Sequence, residues 1–404
     1  MSNSRLARAI VAVAVSLGVL LPAPGDVIAD HGGRPIGALF ACDRPVTPPR
    51  CTSVADNPRH LVYFDASLTE DLRASMRDAM AVYGATELIV VEQARLTRMT
   101  DVIAFSQDYG DNGAAGWVYC PTDAPQGVNP VGDRWCRQQE LHLNLNPRYG
   151  AFFADDASRD HVTCHEMGHT VGLRHWGNPP QTSGEDVGAT CMNANTPNGP
   201  TTLHQIDVDH INGYAYRQDH PRRHRILVSP PGAPHPRLVP WTGTLQATEL
   251  DAPSSLTDLV QRSDAVVRGR IVEVRPGRVF GDPASALHYA AATLQVDELL
   301  AGATTSRTLT LEIPLFDGPS SIDRLPAWGE AIFFLRNKGE SARIAGMPAD
   351  VQAAEAPFHR LVSFSSIIVD HDGRALVDTE APFAAEVAGL SFPDLVDRVR
   401  SLAR

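Results

Sequence analysis

Residues 165 to 175 read HEMGHTVGLRH, and this stretch predicts the fold around which the first half of the chain is built. His165 and His169 are four residues apart, so on a helix their imidazoles lie on one face and can bind one metal ion. Glu166 is turned by about 100° from His165 around the helix axis. From there its carboxylate can take a proton from a water molecule at the open position of the metal.

The end of the same stretch predicts the third ligand. Gly172 can adopt a positive φ at little cost, which lets the chain leave the helix, and His175 then returns toward the metal. Three neutral imidazoles leave the fourth position of Zn²⁺ to water, and zinc lowers the pKa of that water to roughly 7. We therefore predict one catalytic zinc ion, held by these three histidines, with Glu166 as the general base. The alternative is a helix with ordinary hydrogen-bonded histidines.

The spacing HExxHxxGxxH resembles that of the metzincin clan of zinc endopeptidases. That clan also has a methionine turn below the metal, and Met192 lies in a Cys-Met-Asn sequence that is centred 17 residues after His175. The resemblance, which covers roughly residues 57 to 216, implies that Met192 forms a hydrophobic floor under the imidazoles. Some metzincins have a tyrosine ligand two residues after this methionine. Here that position is Ala194, so no tyrosine ligand is expected from it.

The resemblance implies an α+β catalytic domain with a mixed twisted sheet, a zinc helix and the methionine turn. In this clan an antiparallel edge strand of the sheet binds extended substrate by main-chain hydrogen bonds. Apolar patterns along the chain predict a compatible order of elements. The strands are expected at residues 61–64, 88–91, 102–105, 116–119 and 141–146, with a helix at 68–82 and a zinc helix that starts near Asp160.

Three further polar groups could be taken for metal sites, but the residues favour ordinary roles. His142 lies in a strand of alternating apolar and polar residues, and we expect it on the solvent face. The polar loop 108–113 does not have the spacing of an EF-hand calcium loop, which favours a plain loop. The helix predicted at 202–212 carries two His and two Asp. Solvation and hydrogen bonding below the zinc site are favoured there over a second metal.

Length and charge limit the class of protein. The chain has 404 residues, of which 43% are hydrophobic, so it can build two packed domains. Its formal net charge of −12 argues against nucleic acid or an anionic membrane as the main partner. No stretch after the first 21 residues is apolar enough to span a membrane. We expect a monomer, without integral membrane association, whose partner is a peptide or protein substrate.

The N-terminus has the pattern of a secretory signal peptide. Two arginines, Arg5 and Arg8, precede an apolar run at residues 9–21, which is too short to span a bilayer. Cleavage is expected after Ala29, and Gly25 offers a competing site. We therefore expect a secreted, extracellular protein from which the signal peptide is removed.

Six cysteines all lie in the first half of the chain. An even count in an exported chain favours disulfides, although six cysteines allow 15 pairings. Pairing of nearest neighbours predicts Cys42–Cys51, Cys120–Cys136 and Cys164–Cys191. The sequence Pro-Arg-Cys that ends at Cys51 also resembles the cysteine switch of matrix metalloproteinases, in which a propeptide thiolate caps the zinc. The even count favours a disulfide for Cys51 instead.

The chain divides at a segment rich in Arg, His and Pro. Downstream of it, short strands separated by turns and a closing amphipathic helix suggest a small β-barrel, which carries no cluster of catalytic residues. Such barrels include an oligonucleotide-binding type, and this likeness is one of fold only. The predicted division is a signal peptide (1–29), a Pro-rich segment (30–57), a metzincin-like zinc peptidase domain (58–222), a linker (223–240) and a β-rich accessory domain (241–404).

The leading hypothesis is a secreted zinc-dependent endopeptidase in which Glu166 activates a zinc-bound water. One alternative is a non-catalytic secreted binding protein that retains a structural zinc site. The presence of Glu166 argues against this, because a structural site has no use for a general base. Another alternative is a hydrolase of cell-wall peptides, which the motif does not separate from general proteolysis.

Overall fold

The computed structural model describes residues 42–43, 50–55, 57–121, 126–128, 134–136, 138–173, 190–193, 197–212, 246–249 and 253–403, the last range without residues 284, 317, 326–327 and 378–380. The predicted signal peptide, most of the Pro-rich segment and the linker lie outside these residues. His175 and Ala194 also lie outside them.

The first half of the chain alternates strands and helices. In chain order it contains β1 (Cys42–Asp43), β2 (Arg50–Ala55), β3 (Arg59–Phe64), α1 (Glu70–Gly84), β4 (Ile89–Gln93), β5 (Val102–Gln107), β6 (Ala114–Tyr119), β7 (Gln126–Val128), β8 (Arg134–Cys136), β9 (Gln139–Asn144), a 3₁₀ turn (Pro147–Phe152), α2 (Asp156–His169) and α3 (Gln205–His210). The strands and the helix predicted between residues 61 and 119 are thus confirmed, with shifts of a few residues at their ends.

The larger sheet of this half has the strand order β10-β6-β9-β5-β3-β4, in which β10 (Gln246–Glu249) follows the predicted linker. β9, β5, β3 and β4 run parallel to one another. β6 runs antiparallel to β9, and β10 runs antiparallel to β6. A smaller sheet has the order β1-β2-β8-β7. The chain is therefore a mixed α+β protein.

The core of this half lies between the larger sheet and the two long helices. The buried stripe of α1 includes Leu72, Met76 and Met80, at the spacing expected of a helix that packs on one side. α1 also packs against α2. Thr69 caps α1, because its side chain accepts a hydrogen bond from the amide of Leu72.

The zinc helix predicted to start near Asp160 is longer at its N-terminus. α2 begins at Asp156, because Asp155 is the capping residue and its carboxylate accepts a hydrogen bond from the amide of Ser158 at 2.8 Å. The acidic residues at this end are favourably placed at the positive end of the helix dipole. The prediction placed the start at Asp160 and missed the cap at Asp155.

The alternation in β9 predicted a half-exposed strand, and this was wrong. Leu141 and Leu143 face the core between the sheet and the helices, as the pattern requires. The opposite face, which carries His142, is also buried. It is covered by aromatic side chains of the neighbouring strands and by the second half of the chain, so polar residues alternate with apolar ones in a strand that is buried on both faces.

The second half contains one large sheet with helices around it. In chain order its elements are β10, α4 (Leu256–Arg262), β11 (Ala265–Phe280), β12 (Leu287–Gly302), β13 (Thr308–Leu315), a 3₁₀ turn (Pro319–Arg324), β14 (Ala331–Asn337), α5 (Lys338–Ile344), α6 (Ala349–Glu355), β15 (Phe358–Leu361), β16 (Ile367–His371), β17 (Arg374–Leu376), α7 (Ala384–Val387) and α8 (Phe392–Leu402). The closing amphipathic helix predicted from the sequence is α8, which buries Phe392, Leu395, Val396 and Val399.

The strand order of this sheet is β11-β12-β13-β15-β14-β16-β17, and β11 additionally pairs with β14. Each pairing is antiparallel except that of β13 with β15. β11 and β12 are long and form a hairpin whose tip, around Phe280 and Leu287, reaches the first half of the chain.

An aromatic cluster joins the two halves. Tyr109, Ala114 and Trp117 of the first half pack with Leu287, Tyr289 and Phe316 of the second. The hydroxyl of Tyr289 donates a hydrogen bond to the backbone carbonyl of Tyr109 at 2.8 Å. Apolar surface buried in this way stabilises the contact between the halves.

A buried ion pair lies beside this cluster. The guanidinium of Arg360 donates to the carboxylate of Asp111 at 2.7 Å, and both side chains are almost fully buried. Tyr149 donates a second hydrogen bond to the same carboxylate. Behind it, Lys338, the only lysine of the chain, pairs with Glu312 at 2.6 Å, and neither side chain is exposed. Asp111 thus anchors the loop 108–113 to the second half.

The charges around Asp111 also set its ionisation. Burial alone would raise its pKa, but the charges of Arg360 and Lys338 and the hydrogen bond from Tyr149 lower it to about 2. Because the folded pKa lies below the ordinary value of 3.8, this group stabilises the fold above about pH 4. That contribution is lost as the pH falls from about 4 toward 2.

We predict that Asp111→Ala will lower the free energy of unfolding by roughly 3–5 kcal/mol, because Arg360 remains buried without its carboxylate. Urea unfolding at neutral pH measures this. The control is Glu340→Ala, which removes an exposed ion pair with Arg343 and should cost less than about 1 kcal/mol. A similar cost for both variants would contradict the role of the buried pair.

Candidate metal centre

The helix α2 presents two imidazoles toward a common point. His165, Glu166 and His169 are all fully buried. The Nδ1 of His165 donates to the backbone carbonyl of Cys191 at 2.8 Å, and the Nδ1 of His169 donates to the carbonyl of Leu173 at 2.7 Å. Because a carbonyl oxygen only accepts, each neutral ring carries its proton on Nδ1 and its lone pair on Nε2.

The two Nε2 atoms lie 3.0 Å apart. Two Zn–N bonds of roughly 2.0–2.1 Å at a tetrahedral angle place their nitrogens about 3.3 Å apart, so a small adjustment of the rings would accommodate the ion. The backbone carbonyls behind each ring are the partners that orient zinc-binding histidines. The two residues therefore fit a zinc ion.

The end of α2 has the geometry that the sequence predicted at Gly172. This residue has a φ of 85°, in the region that glycine adopts at least cost. The amide of Leu173 then donates to the carbonyl of Gly168 at 3.0 Å, which closes the end of the helix. This turn also places the carbonyl of Leu173 at His169.

His175, the predicted third ligand, lies two residues beyond the last described residue of this segment. Within the described ranges, no group of three or more His, Cys, Asp or Glu side chains is arranged to hold a metal ion. His165 and His169 are thus the two predicted ligands that the structure brings together.

Glu166 lies against the antiparallel strand β6. A Cβ atom added to Gly116 of β6 would be 2.6 Å from Oε1 of Glu166, closer than such atoms approach in proteins. The carboxylate therefore occupies the space that any other residue at position 116 would fill. Gly116 was not among the predicted site residues. The available signal was a glycine inside a strand, which often marks a close approach.

The predicted methionine turn, residues 190–193, packs directly on α2. Met192 is fully buried, and a Cβ atom added to Gly168 of α2 would be 2.2 Å from its Sδ. The hydroxyl of Tyr83, from α1, donates to the backbone carbonyl of Cys164 at 3.0 Å and lies 3.6 Å from the Sδ of Met192. Tyr83 and Gly168 are therefore two more residues that position this region, and both were missed from the sequence.

Two of the three predicted cysteine pairs are disulfides in the structure. Cys164–Cys191 links the residue before His165 to the residue before Met192. Cys120–Cys136 links the end of β6 to β8. Cys42 and Cys51 face each other in the register of β1 and β2, but their side chains lie outside the described part of the chain.

A buried acid supports the methionine turn from below. Asp207 of α3 accepts hydrogen bonds from the hydroxyl of Thr190 at 2.5 Å and from the amide of His204 at 3.0 Å. Thr190 in turn accepts from the amide of Met192. Burial raises the pKa of Asp207 to about 7. This agrees with the expected hydrogen bonding below the site. α3 itself is shorter than predicted and starts at Gln205.

The alternation predicted that His142 lies on a solvent face, and this was wrong. Its ring is buried and stacks on Trp117 with the ring centroids 4.9 Å apart. Nδ1 is 2.9 Å from the hydroxyl of Tyr109, and Nε2 is 3.0 Å from the carboxylate of Glu140. Both ring nitrogens thus have polar partners: the hydroxyl of Tyr109 in the aromatic cluster, and the carboxylate of Glu140 in the same strand.

No protein-family model and no curated protein sequence match this chain. Among solved structures, it is similar to high choriolytic enzyme 1, a hatching enzyme zinc-protease from the medaka fish Oryzias latipes, at 15% sequence identity and a TM-score of 0.23. The similar region covers 39% of this chain and 90% of that chain. A likeness this distant supports no inference about activity. In the part of the chain that the structure describes, no helix is long and apolar enough to cross a membrane.

We predict that Gly168→Ala will destabilise the fold, because its Cβ must displace Met192 or Tyr83. Overpacking of this kind costs roughly 1–3 kcal/mol and should outweigh the gain in helix propensity of up to about 1 kcal/mol. Gly150→Ala is the control, since a Cβ there meets no atom within 4 Å. Urea unfolding compares the two. The loss should shrink in a Met192→Ala background, and an equal loss in both backgrounds would show that the sulfur is not the obstacle.

Asp207 predicts a pH dependence of stability. Its folded pKa of about 7 lies above the ordinary value of 3.8, so the folded state holds a proton that the unfolded state has released. Its contribution is therefore complete below about pH 4 and is lost as the pH rises through 7. The free energy of unfolding should fall from pH 5 to pH 8 by about 2–3 kcal/mol more in the native chain than in Asp207→Asn. Asparagine keeps the acceptor oxygen and does not titrate. Equal slopes would contradict a neutral, buried Asp207.

Proposed function

We propose that the first half of the chain is a zinc endopeptidase of the metzincin type. The observation that carries the proposal is a pair of buried imidazoles whose Nε2 atoms lie close together. Each ring is oriented by a hydrogen bond from its Nδ1 to a backbone carbonyl, and Glu166 lies on the same helix. His165 and His169 would hold the ion together with His175, whose role rests on the spacing of the motif alone. When bound, zinc would lower the pKa of a water molecule and polarise the carbonyl of a peptide bond.

Glu166 would move the proton. It is not one of the predicted ligands, and its carboxylate lies against β6 at Gly116, beside the edge along which an extended peptide would run. From that position it would accept a proton from the attacking water and pass it to the amine that leaves. Burial of the carboxylate keeps bulk solvent away from the transfer and strengthens its interaction with nearby charge.

The packing below the imidazoles would serve to hold them still. Met192, Tyr83 and Cys191 lie on the side of α2 away from solvent, and the Cys164–Cys191 disulfide ties the carbonyl that orients His165 to the helix that carries it. A site whose ligands are fixed by their neighbours loses little free energy in ordering them when the metal binds.

We further propose that the protein is secreted. The two disulfides of the described residues are consistent with an extracellular protein. The basic and apolar residues at positions 5–21 support a signal peptide that is removed on export.

For the second half, we infer a small barrel of the oligonucleotide-binding type. The support is the set of pairings in which β11 joins β12 on one side and β14 on the other, while β13 and β15 run parallel. Following hydrogen-bonded neighbours from β11 through β12, β13, β15 and β14 returns to β11, as in such a barrel. With a net charge of −12 for the chain, we do not propose nucleic acid as its ligand.

The test separates the base from the ligands. Glu166→Ala should keep its zinc and lose turnover of a peptide substrate by at least about 10²–10⁴-fold, because the residue moves protons. His175→Ala should lose both zinc and turnover, because two imidazoles bind the ion weakly. Metal analysis and peptide hydrolysis are measured on each purified variant.

The control for both is Glu87→Ala. Glu87 is exposed and lies in the loop between α1 and β4, so its loss should change neither zinc content nor turnover. Cleavage by Glu166→Ala at nearly the native rate would overturn the mechanism. Full zinc occupancy in His175→Ala would mean that another residue is the third ligand.

A further inference from the structure

The edge of β6 is covered by a strand from the second half of the chain. β10 pairs antiparallel with β6, so that Gln246 lies opposite Val118, Ala247 opposite Trp117 and Thr248 opposite Gly116. The other edge of β6 is taken by β9. The main-chain groups of β6 that point away from the sheet are therefore occupied by residues 246–249.

This edge is the one beside Glu166. Gly116, the partner of Thr248 in the register, is the residue whose missing side chain makes room for the Glu166 carboxylate. Partner residues in an antiparallel pair have Cα atoms about 4.5–5.5 Å apart, so the backbone around Thr248 passes close to the candidate base. β10 also contacts α2, the helix that carries the two histidines.

An extended peptide that adds to a sheet edge needs the row of backbone donors and acceptors that β10 now uses. β10 has the direction and the hydrogen bonding of such a peptide, and it is covalently part of the same chain. We propose that residues 246–249 are an intramolecular inhibitor: β10 must leave β6 before an extended peptide can bind beside Glu166. This inference rests on the proposed peptidase function and adds its regulation.

Contacts with the second half hold β10 in place. The side-chain carboxylate of Glu249 accepts a hydrogen bond from the amide of Phe364 at 2.6 Å. The second half is in turn docked on the loop that leads into β6, through the Asp111–Arg360 ion pair and the aromatic cluster. β10 therefore pairs with β6 along one edge and is also hydrogen-bonded, through Glu249, to the second half of the chain.

Tethering decides the competition between β10 and a free peptide. A tethered segment has an effective concentration of roughly 1 mM, so a peptide of equal intrinsic affinity at roughly 10 µM is at a disadvantage of about 100-fold. Weakening either attachment of β10 should therefore raise the apparent affinity for peptide without a change in the metal site. The native chain is accordingly latent, and loosening of the second half activates it.

The first test is the full-length variant Ala247→Pro with Thr248→Pro. Alternate residues of an antiparallel strand donate to the partner strand, so one of the two prolines must remove a hydrogen bond to β6. The second variant, Glu249→Ala, removes the acceptor for the Phe364 amide and leaves the backbone of β10 unchanged. Glu249→Gln is its matched control, because glutamine keeps an acceptor oxygen.

Two measurements are made on each variant. The first is hydrolysis of a fluorogenic peptide. The second is made in a Glu166→Ala background and follows, by fluorescence anisotropy, the binding of a labelled peptide with the sequence LQATELD of residues 245–251. We expect the double-proline variant to show at least about 10-fold higher kcat/KM and 10-fold tighter peptide binding than the native chain, Glu249→Ala to change in the same direction, and Glu249→Gln to remain near native.

The outcomes separate this inference from the proposed function. Tighter binding without hydrolysis by any chain would support the covering strand and overturn the peptidase. Hydrolysis by the native chain at the rate of the variants, with unchanged binding, would overturn the inference and leave the peptidase standing. If the double-proline variant does not fold, Glu249→Ala decides. Peptide binding by Glu249→Ala equal to that of Glu249→Gln would mean that β10 is only a structural strand of the sheet.

Discussion

The hydrogen bonds from the two imidazole Nδ1 atoms to backbone carbonyls are the constraint on which the rest of the candidate site depends. They leave the lone pair of each ring on its Nε2 and hold the two Nε2 atoms 3.0 Å apart. Each carbonyl is supplied by a different structural device. The positive φ of Gly172 places the carbonyl of Leu173. The carbonyl of Cys191 belongs to a turn that a disulfide links to α2 and that a hydrogen bond to the Thr190 hydroxyl supports. A change in either of these supports would rotate the ring of His165 or His169.

The same region shows why small residues lie at two positions of the site. Gly168 lets the sulfur of Met192 approach the helix backbone, and Gly116 lets the carboxylate of Glu166 approach β6. In both cases a side chain from one element fills the volume that a Cβ of another would need. Close packing of this kind restricts the movement of α2 against the sheet, so the histidines and the glutamate keep a fixed relation to the strand edge.

The second half of the chain contributes to the first in two ways. Its hairpin covers the polar face of β9, where His142, Tyr109 and Trp117 form a buried aromatic group, and Arg360 neutralises Asp111 in the adjoining loop. Its first strand, β10, completes the sheet at β6. The surface next to the candidate base is therefore shaped by residues more than 70 positions away along the chain, which connects the accessibility of the site to the docking of the second half.

Local patterns in the sequence determined the elements and much of the site. The four-residue spacing of His165 and His169 places them on one helix face whatever surrounds it, and a glycine after that helix predicts the positive φ that ends it, because both effects depend on neighbours in the chain. Nearest-neighbour pairing predicted the two disulfides for a similar reason, since short separations keep the partners close. Only the tertiary structure decided what covers each face and edge. Alternation in β9 indicated two faces but not that both are buried, and nothing local distinguishes the edge of β6 as the partner of residues 246–249. Gly116 and Tyr83 acquire their roles from atoms that are distant in sequence, so their packing could not be predicted from local spacing.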